Sequence, residues 1–492
     1  MPDSPMAQGE VEFLDAGLPI HGPVAAGTRL VADRSFEWVT DTLVSGGSPW
    51  RLFRLTAHGS RVLAAWASGA LVSGDPNEGA LARRFVDAGL FHPTHRDRAP
   101  ARGDVDVVVP VRDDPVGLET VLRALDASPE LRVTVVDDGS LDAEEIATIA
   151  ASHRAAVVRR DVPGGPGAAR NAGFAATTAP LVAFLDADTT PSADWLHGLV
   201  PHFEDSSVAA VAPRVRGPVG DGLRDRFEAA ASPLDLGDRP GVVRPGASVP
   251  FVPAAALVLR RAALDVPFDE SLHVGEDVDM VWRLSASGWL VRYEPAVVVT
   301  HAARPSWWGW LTQRFSYGVS AAALEARHGD AAAPLRADPR VLATLVLVLA
   351  GRPRAALGVL SWSATSLARQ LDGISARGGS EGAARQIAVR GTALAAPGLA
   401  RSTFRTYGPV LVVAAVAFSP LRRPVVALTA AATTVRWLRA GRPARPIAFA
   451  AMSVADDLAY GAGVIAGAVR ARRVGALRPR LRPASTVVPP IR

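Results

Sequence analysis

From Asp104 to about Gly329 the chain alternates β-branched runs with helical stretches, and this alternation constrains the fold more than any other feature. Residues 105–111, 133–136, 156–158 and 181–185 read as strands. Residues 117–125, 143–152 and 168–176 between them read as helices. Strand–helix–strand units need crossover connections, so the expected class is α/β with a mainly parallel, doubly wound sheet. Ligands bind such a sheet beyond the carboxyl ends of its strands.

The unusual residues fall at those ends. The first strand leads into Val109-Pro110-Val111-Arg112-Asp113-Asp114, and the second into Val135-Val136-Asp137-Asp138-Gly139-Ser140. The fourth ends Phe184-Leu185-Asp186-Ala187-Asp188, and Gly275-Glu276-Asp277 opens a later helix, 276–285. On an extended segment Asp186 and Asp188 would share a face about 7 Å apart, a hard oxygen pair for Mg²⁺ or Mn²⁺. Two turn aspartates give the same pattern without a metal. Asp137 and Asp138 can accept from a ribose or base, or cap a turn. Arg170 and Asn171 follow the glycine loop Gly164-Gly165-Pro166-Gly167, where backbone N–H groups and a guanidinium fork suit an anion. Asp277 is a candidate general base, although acids favour helix N-termini in any case. His301 ends the apolar run 297–300 and is a candidate third metal ligand.

Composition removes competing chemistries. All 53 basic residues are arginine and there is no cysteine, so a Schiff-base lysine, a Walker A loop, a thiol nucleophile and disulfides are excluded. Charge is uneven along the chain. Residues 332–492 hold 23 arginines against five acidic residues, whereas the first 331 hold 30 against 43. Asp3, Glu10 and Glu12 occupy the place of a charged-then-apolar leader, so no signal peptide is expected.

Around the α/β region the expected organisation is a small α+β domain over 21–95, a catalytic domain over 104–330, an apolar arginine-rich helical region over 331–470 and a basic, disordered tail over 471–492. Residues 1–20 read as loose. In the first domain 28–32 and 36–39 read as strands, while 50–55, 60–66 and 81–86 read as helical. The apolar runs of the third region, 341–351, 406–421, 425–435 and 458–469, are each shorter than the about 20 residues of a spanning helix. Bracketed by arginine, they fit interfacial helices, re-entrant hairpins or a soluble bundle.

Taken in order, V-P-V-R, V-V-D-D-G-S, G-x-A-R-N-x-G, F-L-D-A-D and G-E-D-x-D resemble family-2 inverting glycosyltransferases of the GT-A fold, over roughly residues 104–324. By that resemblance Pro110, Val111, Arg112, Asp137 and Asp138 line the nucleotide pocket and Arg170 and Asn171 lie over the nucleotide. Asp186 and Asp188 hold a divalent metal, Mg²⁺ or Mn²⁺, on the donor diphosphate, and Asp186 also borders the donor. His301 completes the metal site, Asp277 is the base and Glu276 lies near the acceptor. Gln313-Arg314-Phe315-Ser316-Tyr317 stands where processive members carry Q-x-x-R-W, which points to one or a few additions.

The segments T-R-L-V-A-D-R-S, L-T-A-H-G-S-R-V-L and L-A-R-R-F-V-D-A-G-L-F resemble the PqqD-like peptide-recognition domain, a winged-helix module that captures leader peptides. Nine arginines against 11 acidic residues over 1–100 argue against nucleic acid as partner. Such a module fused to a family-2 enzyme resembles the glycosyltransferases of mycofactocin biosynthesis. That resemblance implies a UDP-glucose donor, a peptide-derived redox cofactor precursor as acceptor, a short β-1,4 glucan product and a precursor peptide or its chaperone as partner, while the basic, apolar region after 331 points to the cytoplasmic face of the membrane. The alternative is a cell-envelope transferase acting on a lipid-linked polysaccharide.

Overall fold

The computed structural model describes residues 21–218, 220–302, 306–372 and 380–481, with 367, 368, 370–372 and 380–397 as backbone alone. The expectations for residues 1–20 and for 482–492 lie outside these. The chain divides into two compact units, one formed by residues up to Val215 with Leu236–His301, the other by Arg216–Asp235 with the chain beyond Ala302.

The first unit opens with β1 (Arg29–Ala32) and the antiparallel meander β2 (Glu37–Thr40), β3 (Leu43–Gly46) and β4 (Arg51–Arg54). Helices α1 (Ala57–Ala67) and α2 (Pro76–Asp87) follow, and β5 (Phe91–Thr94) returns to pair with β1. Each helix starts on a side-chain cap, Thr56 accepting from Gly59 N–H and Asp75 from Asn77 N–H. Leu30, Val44, Phe53, Leu63, Trp66, Phe85 and Phe91 close the core. Residues 50–55 are strand, not helix. Val44 faces Phe53 across β3 and β4, and the pairing partner rather than local propensity decides the conformation.

The central sheet region is built from β6 (Val105–Val111), α3 (Pro115–Leu125), β7 (Arg132–Asp138), α4 (Ala143–Ser152), β8 (Ala156–Arg160), α5 (Pro166–Ala176) and β9 (Leu181–Leu185). Then come β10 (Thr189–Pro191), β11 (Val208–Arg216), the excursion α6 (Leu223–Ala231), β12 (Gly241–Val242), β13 (Ala256–Arg260), α7 (Glu276–Ala286) and β14 (Leu290–His301). The order is β10-β14-β11-β13-β9-β6-β7-β8, with β12 on β14. The expected parallel sheet is present in β8, β7, β6 and β9, whose carboxyl ends therefore share one edge.

Beyond β9 the ladder turns antiparallel. Ala256 pairs with Leu185, so the chain entering β13 passes the end of β9. Thr189 pairs with His301, so β14 brings its last residue back to the turn after β9. Helix α5 lies close on the sheet because Gly173 has no side chain. A Cβ there would sit 2.2 Å from Val108 Cγ1.

The second unit joins α6 to α8 (Trp307–His328), β15 (Arg336–Ala337), α9 (Pro339–Leu349), α10 (Pro353–Asp372), α11 (Ser380–Ala417), α12 (Arg422–Arg439), α13 (Pro446–Ala471) and β16 (Arg480–Leu481). It begins well before residue 331, because α6 and α8 pack with the C-terminal helices: Phe227, Trp310, Phe449 and Met452 share one core. Backbones of α8 and α13 meet at glycines. A Cβ on Gly463 would fall 2.0 Å from the Phe315 carbonyl. The region 471–481, expected to be disordered, instead forms a 3₁₀ turn at Gly475–Leu477 and the strand β16 on β15.

Of the described helices, α13 alone is long and apolar enough to cross a membrane, with a mean hydropathy of 1.2 and 44% of that window buried. It carries Asp456 and Asp457, both buried. Asp456 is ion-paired with Arg314 Nε at 2.9 Å and Arg436 Nη2 at 2.6 Å, and Asp457 accepts from Arg405 Nη1 at 3.0 Å. Arg314 and Trp310 Nε1 also meet Glu228. The arginines that bracket the apolar runs in sequence are thus partly internal counter-ions of one helical core.

Candidate active site

The strand ends converge as their alternation requires. β6 ends at Pro110 and Val111, and the exposed Arg112 lies 3.6 Å from Asp113. Asp113 takes a left-handed turn (φ 52°), receives Leu141 N–H on Oδ1 at 2.7 Å and donates its own N–H to Ser140 Oγ at 2.9 Å. This stitches the ends of β6 and β7 together. Asp137, 1% exposed, accepts from Ser140 N–H at 2.9 Å and pairs with Arg159. Asp138 accepts from Arg160 Nη1 at 2.5 Å and from the N–H groups of Gly164 and Gly165, at 3.0 and 2.7 Å.

Asp186 and Asp188 are brought together by a turn, not by the pleat of an extended strand. Thr189 donates its N–H to the Asp186 carbonyl at 3.0 Å, and β10 begins immediately. Register then delivers His301, whose Nε2 lies 3.3 Å from Asp188 Oδ1. One ligand atom each from Asp186, Asp188 and His301 lie within 4.8 Å of one another. Two hard carboxylates and one imidazole suit Mg²⁺ or Mn²⁺.

Arg170 lies next to this group. It is 4% exposed, stacks 5.4 Å over Phe268, and reaches Asp186 Oδ1 at 2.5 Å and Glu276 Oε1 at 2.9 Å. Burial opposes its charge, but the two carboxylates prevail and hold its pKa above the usual arginine range. Asn171 is likewise a fastener. Its amide donates to the Phe268 carbonyl at 2.8 Å and accepts the Phe268 N–H at 3.0 Å. Both side chains are engaged within the protein, on the helix that Gly173 lets lie close on the sheet.

Gly275, in the left-handed region at φ +86°, starts α7. Glu276 is buried against Arg170. Asp277 accepts its bonds from Val278 N–H at 2.8 Å and Ala254 N–H at 3.4 Å. Burial pushes the Asp277 carboxyl up to about 7, the Glu276 charge adds to this, and the two N–H groups and Arg170 oppose it. A carboxylate poised near neutrality suits a general base.

The geometry now stands beside known proteins. Residues 106–266 match the glycosyl transferase family 2 model. Over 468 residues, 93% of this chain and 98% of the relative, the sequence is 39% identical to the pre-mycofactocin glycosyltransferase of Mycobacterium tuberculosis. The chain belongs to the pre-mycofactocin glycosyltransferases of family 2. It is also 31% identical over 205 residues to the succinoglycan biosynthesis protein ExoU of Rhizobium meliloti, covering 39% of this chain and 59% of that one. Among solved structures it is similar to the mannosyltransferase PcManGT of Pyrobaculum calidifontis, at 20% identity and a TM-score of 0.37, over 70% of this chain and 91% of that one.

In this glycosyltransferase the site also uses residues that the motifs do not mark. Arg159 and Arg160 hold the two aspartates at the end of β7, and the backbone of Ala254 and Ala255 meets Asp277 and Asp186. The adjacent arginines at the end of β8 were a readable signal. The backbone contacts had none.

Proposed function

We propose that the chain transfers glucose from UDP-glucose, with inversion, to a hydroxyl of the peptide-derived precursor of mycofactocin and builds a short β-1,4-linked chain. The observation that carries this reading is the carboxyl of Asp277 at the start of α7, joined through Glu276 and Arg170 to the Asp186–Asp188–His301 group. Asp277 takes the proton of the acceptor hydroxyl as that oxygen attacks the anomeric carbon, and Glu276 borders the acceptor. Arg170 fixes Asp186 and Glu276 in place. Asp186, Asp188 and His301 would hold a divalent metal, which when bound stabilises the leaving diphosphate. Pro110, Val111, Arg112, Asp137 and Asp138 border the nucleotide.

The N-terminal unit serves as the peptide-recognition module. β2 is an outer strand of its meander, where an extended peptide can add. The second unit rests on the cytoplasmic face of the membrane. Val410, Val413, Val416, Phe418 and Val426 stand exposed beside Arg422 and Arg423, an apolar face rimmed by cations.

The test is a screen of UDP-, GDP- and dTDP-sugars with pre-mycofactocin, read by mass spectrometry. Hexose addition from UDP-glucose alone is the expected result. Addition only to a lipid-linked saccharide would favour the envelope reading, for which the exposed apolar face speaks. Flotation with phosphatidylglycerol vesicles checks the membrane assignment, and failure to float sinks it.

A further inference from the structure

The N-terminal module meets the α/β domain at several points, His21 at Gly288, Arg83 at Asp205, Arg34 at Asp238 and Ser48 at Arg244 and Ser248, and the last of these leads to the carboxylates of the site. Its turn between β3 and β4 passes through Gly46 and Gly47 at φ +141° and +81°. Gly47 packs so near the end of α2 that a Cβ would lie 2.5 Å from the Ala88 carbonyl. The next residue, Ser48, donates its N–H to that carbonyl at 2.8 Å, so the turn is set by the module's own core.

Ser48 faces the catalytic sheet with everything else it has. Its hydroxyl accepts the Ser248 N–H at 2.6 Å and contacts Ser248 Oγ at 3.0 Å, and its carbonyl accepts from Arg244 Nη2 at 2.7 Å. Arg244 is a cation held by that carbonyl. Its Nε is buried without an acceptor, and burial together with Arg51 of the module brings its pKa down to about 10.

From Arg244 the chain runs as a strap to the reaction centre. Arg244 and Val249 close a loop, with Arg244 N–H donating to the Val249 carbonyl at 3.3 Å. Pro250 then accepts from Trp282 Nε1 at 2.8 Å, and Trp282 lies on α7, the helix that begins with Glu276 and Asp277. Val252, Pro253, Ala254 and Ala255 are buried. Ala254 gives its N–H to Asp277, and the Ala255 carbonyl accepts the Asp186 N–H at 3.0 Å. The loop itself is exposed at Gly246 and Ser248, but three prolines, Pro245, Pro250 and Pro253, and the burial of 252–255 limit the slack between Arg244 and the two carboxylates.

We propose that the module sets the geometry of the catalytic base through this strap, with Ser48 and Arg244 as positioning residues, so that an event on the module reaches the site without any contact to substrate. The proposal rests on the reading of Asp277 as base. If the strap loosens, Ala254 N–H withdraws from Asp277. A hydrogen bond that favours the charged carboxylate is lost, and the carboxyl moves further up.

The experiment takes the full chain and the variants Ser48→Ala, Arg244→Gln and Arg244→Lys. It measures kcat and KM for UDP-glucose from pH 5.5 to 9 with pre-mycofactocin, and hydrogen exchange of residues 250–256. Ser48→Ala and Arg244→Gln are expected to move the acid limb up by about half a pH unit, which is about a threefold loss of kcat on that limb. KM should stay unchanged, exchange of 250–256 should rise, and Arg244→Lys should recover part of the loss. Folded variants with an unmoved acid limb and unmoved exchange overturn the proposal. If Asp277→Asn keeps full activity, the base assignment falls instead, and the exchange of 250–256 still decides whether the module grips the strap.

Discussion

His301 Nε2 lies 3.3 Å from Asp188 Oδ1, delivered by an antiparallel pairing of β14 with β10 and not by nearness in sequence. The pair therefore depends on the ladder that places Thr189 opposite His301. His301→Ala should weaken Mn²⁺ binding about 10- to 100-fold. Asp188→Ala should abolish metal-dependent UDP binding. Calorimetry with UDP in the presence and absence of Mn²⁺ reads both. Equal UDP affinity of the unmutated protein in the two conditions would remove the metal site.

Arg170 holds Asp186 and Glu276 at once, and all three are shielded from water to different degrees. Arg170→Met leaves two carboxylates facing each other without a cation. We expect about 3–5 kcal/mol of lost stability, as for one partner removed from a buried ion pair. Arg170→Lys should recover only part, because an ammonium cannot fork to both acids in the same plane. Urea unfolding followed by tryptophan fluorescence measures the difference. A loss under about 1 kcal/mol for Arg170→Met would mean that the fork is not holding the site.

What was legible in the chain followed from period. Continuous β-branched runs such as Val105–Val111 and Leu181–Leu185 are buried on both faces of the parallel half and could be read directly. The antiparallel half was largely missed, because Val208–Arg216 and Leu290–His301 are defined by their partners and carry mixed residues. The positions of the carboxylates were also legible, since Asp137, Asp138, Asp186 and Asp188 follow runs that alternation makes strands. The internal partners of Arg170 and Asn171 were not, because they come from segments about 100 residues away and from how closely α5 lies on the sheet at Gly173. In the second unit Asp456 and Asp457 broke the apolar runs in sequence, yet in the fold they are neutralised by arginines from other helices.

That network makes the second unit sensitive to one atom. Asp456 is 0% exposed and meets Arg314 and Arg436. Burial alone would raise its carboxyl, but the three arginines Arg436, Arg405 and Arg314 bring it down to about 2. A depressed acid contributes stability that is present above its unfolded value near 3.8 and is lost as pH falls through about 2. Asp456→Asn should therefore cost about 3–5 kcal/mol at pH 7. The gap to the unmutated chain should narrow as pH falls below about 4. Thermal unfolding across that pH range is the measurement, and a constant gap would show that the charge of Asp456 is not what matters.

Asp277 has the opposite sign, and this separates the catalytic role proposed for it from its effect on stability. Its carboxyl is pushed up to about 7 from a usual value of 3.8, chiefly by burial. The native state therefore holds the proton more tightly than the unfolded chain, and the stability tied to this group falls as pH rises from about 4 to about 7. Catalysis needs the ionised form, so the rate should rise over an acid limb centred near pH 7. Asp277→Asn removes both effects. Transfer should fall by at least about 100-fold. The midpoint of unfolding at pH 8 should rise by about 2–4 °C for each kcal/mol of relieved charge burial. Only below the usual value of 3.8, where the carboxyl is protonated in both the native and the unfolded chain, should the variant and the parent melt together. An active and less stable Asp277→Asn protein would contradict both halves of the assignment.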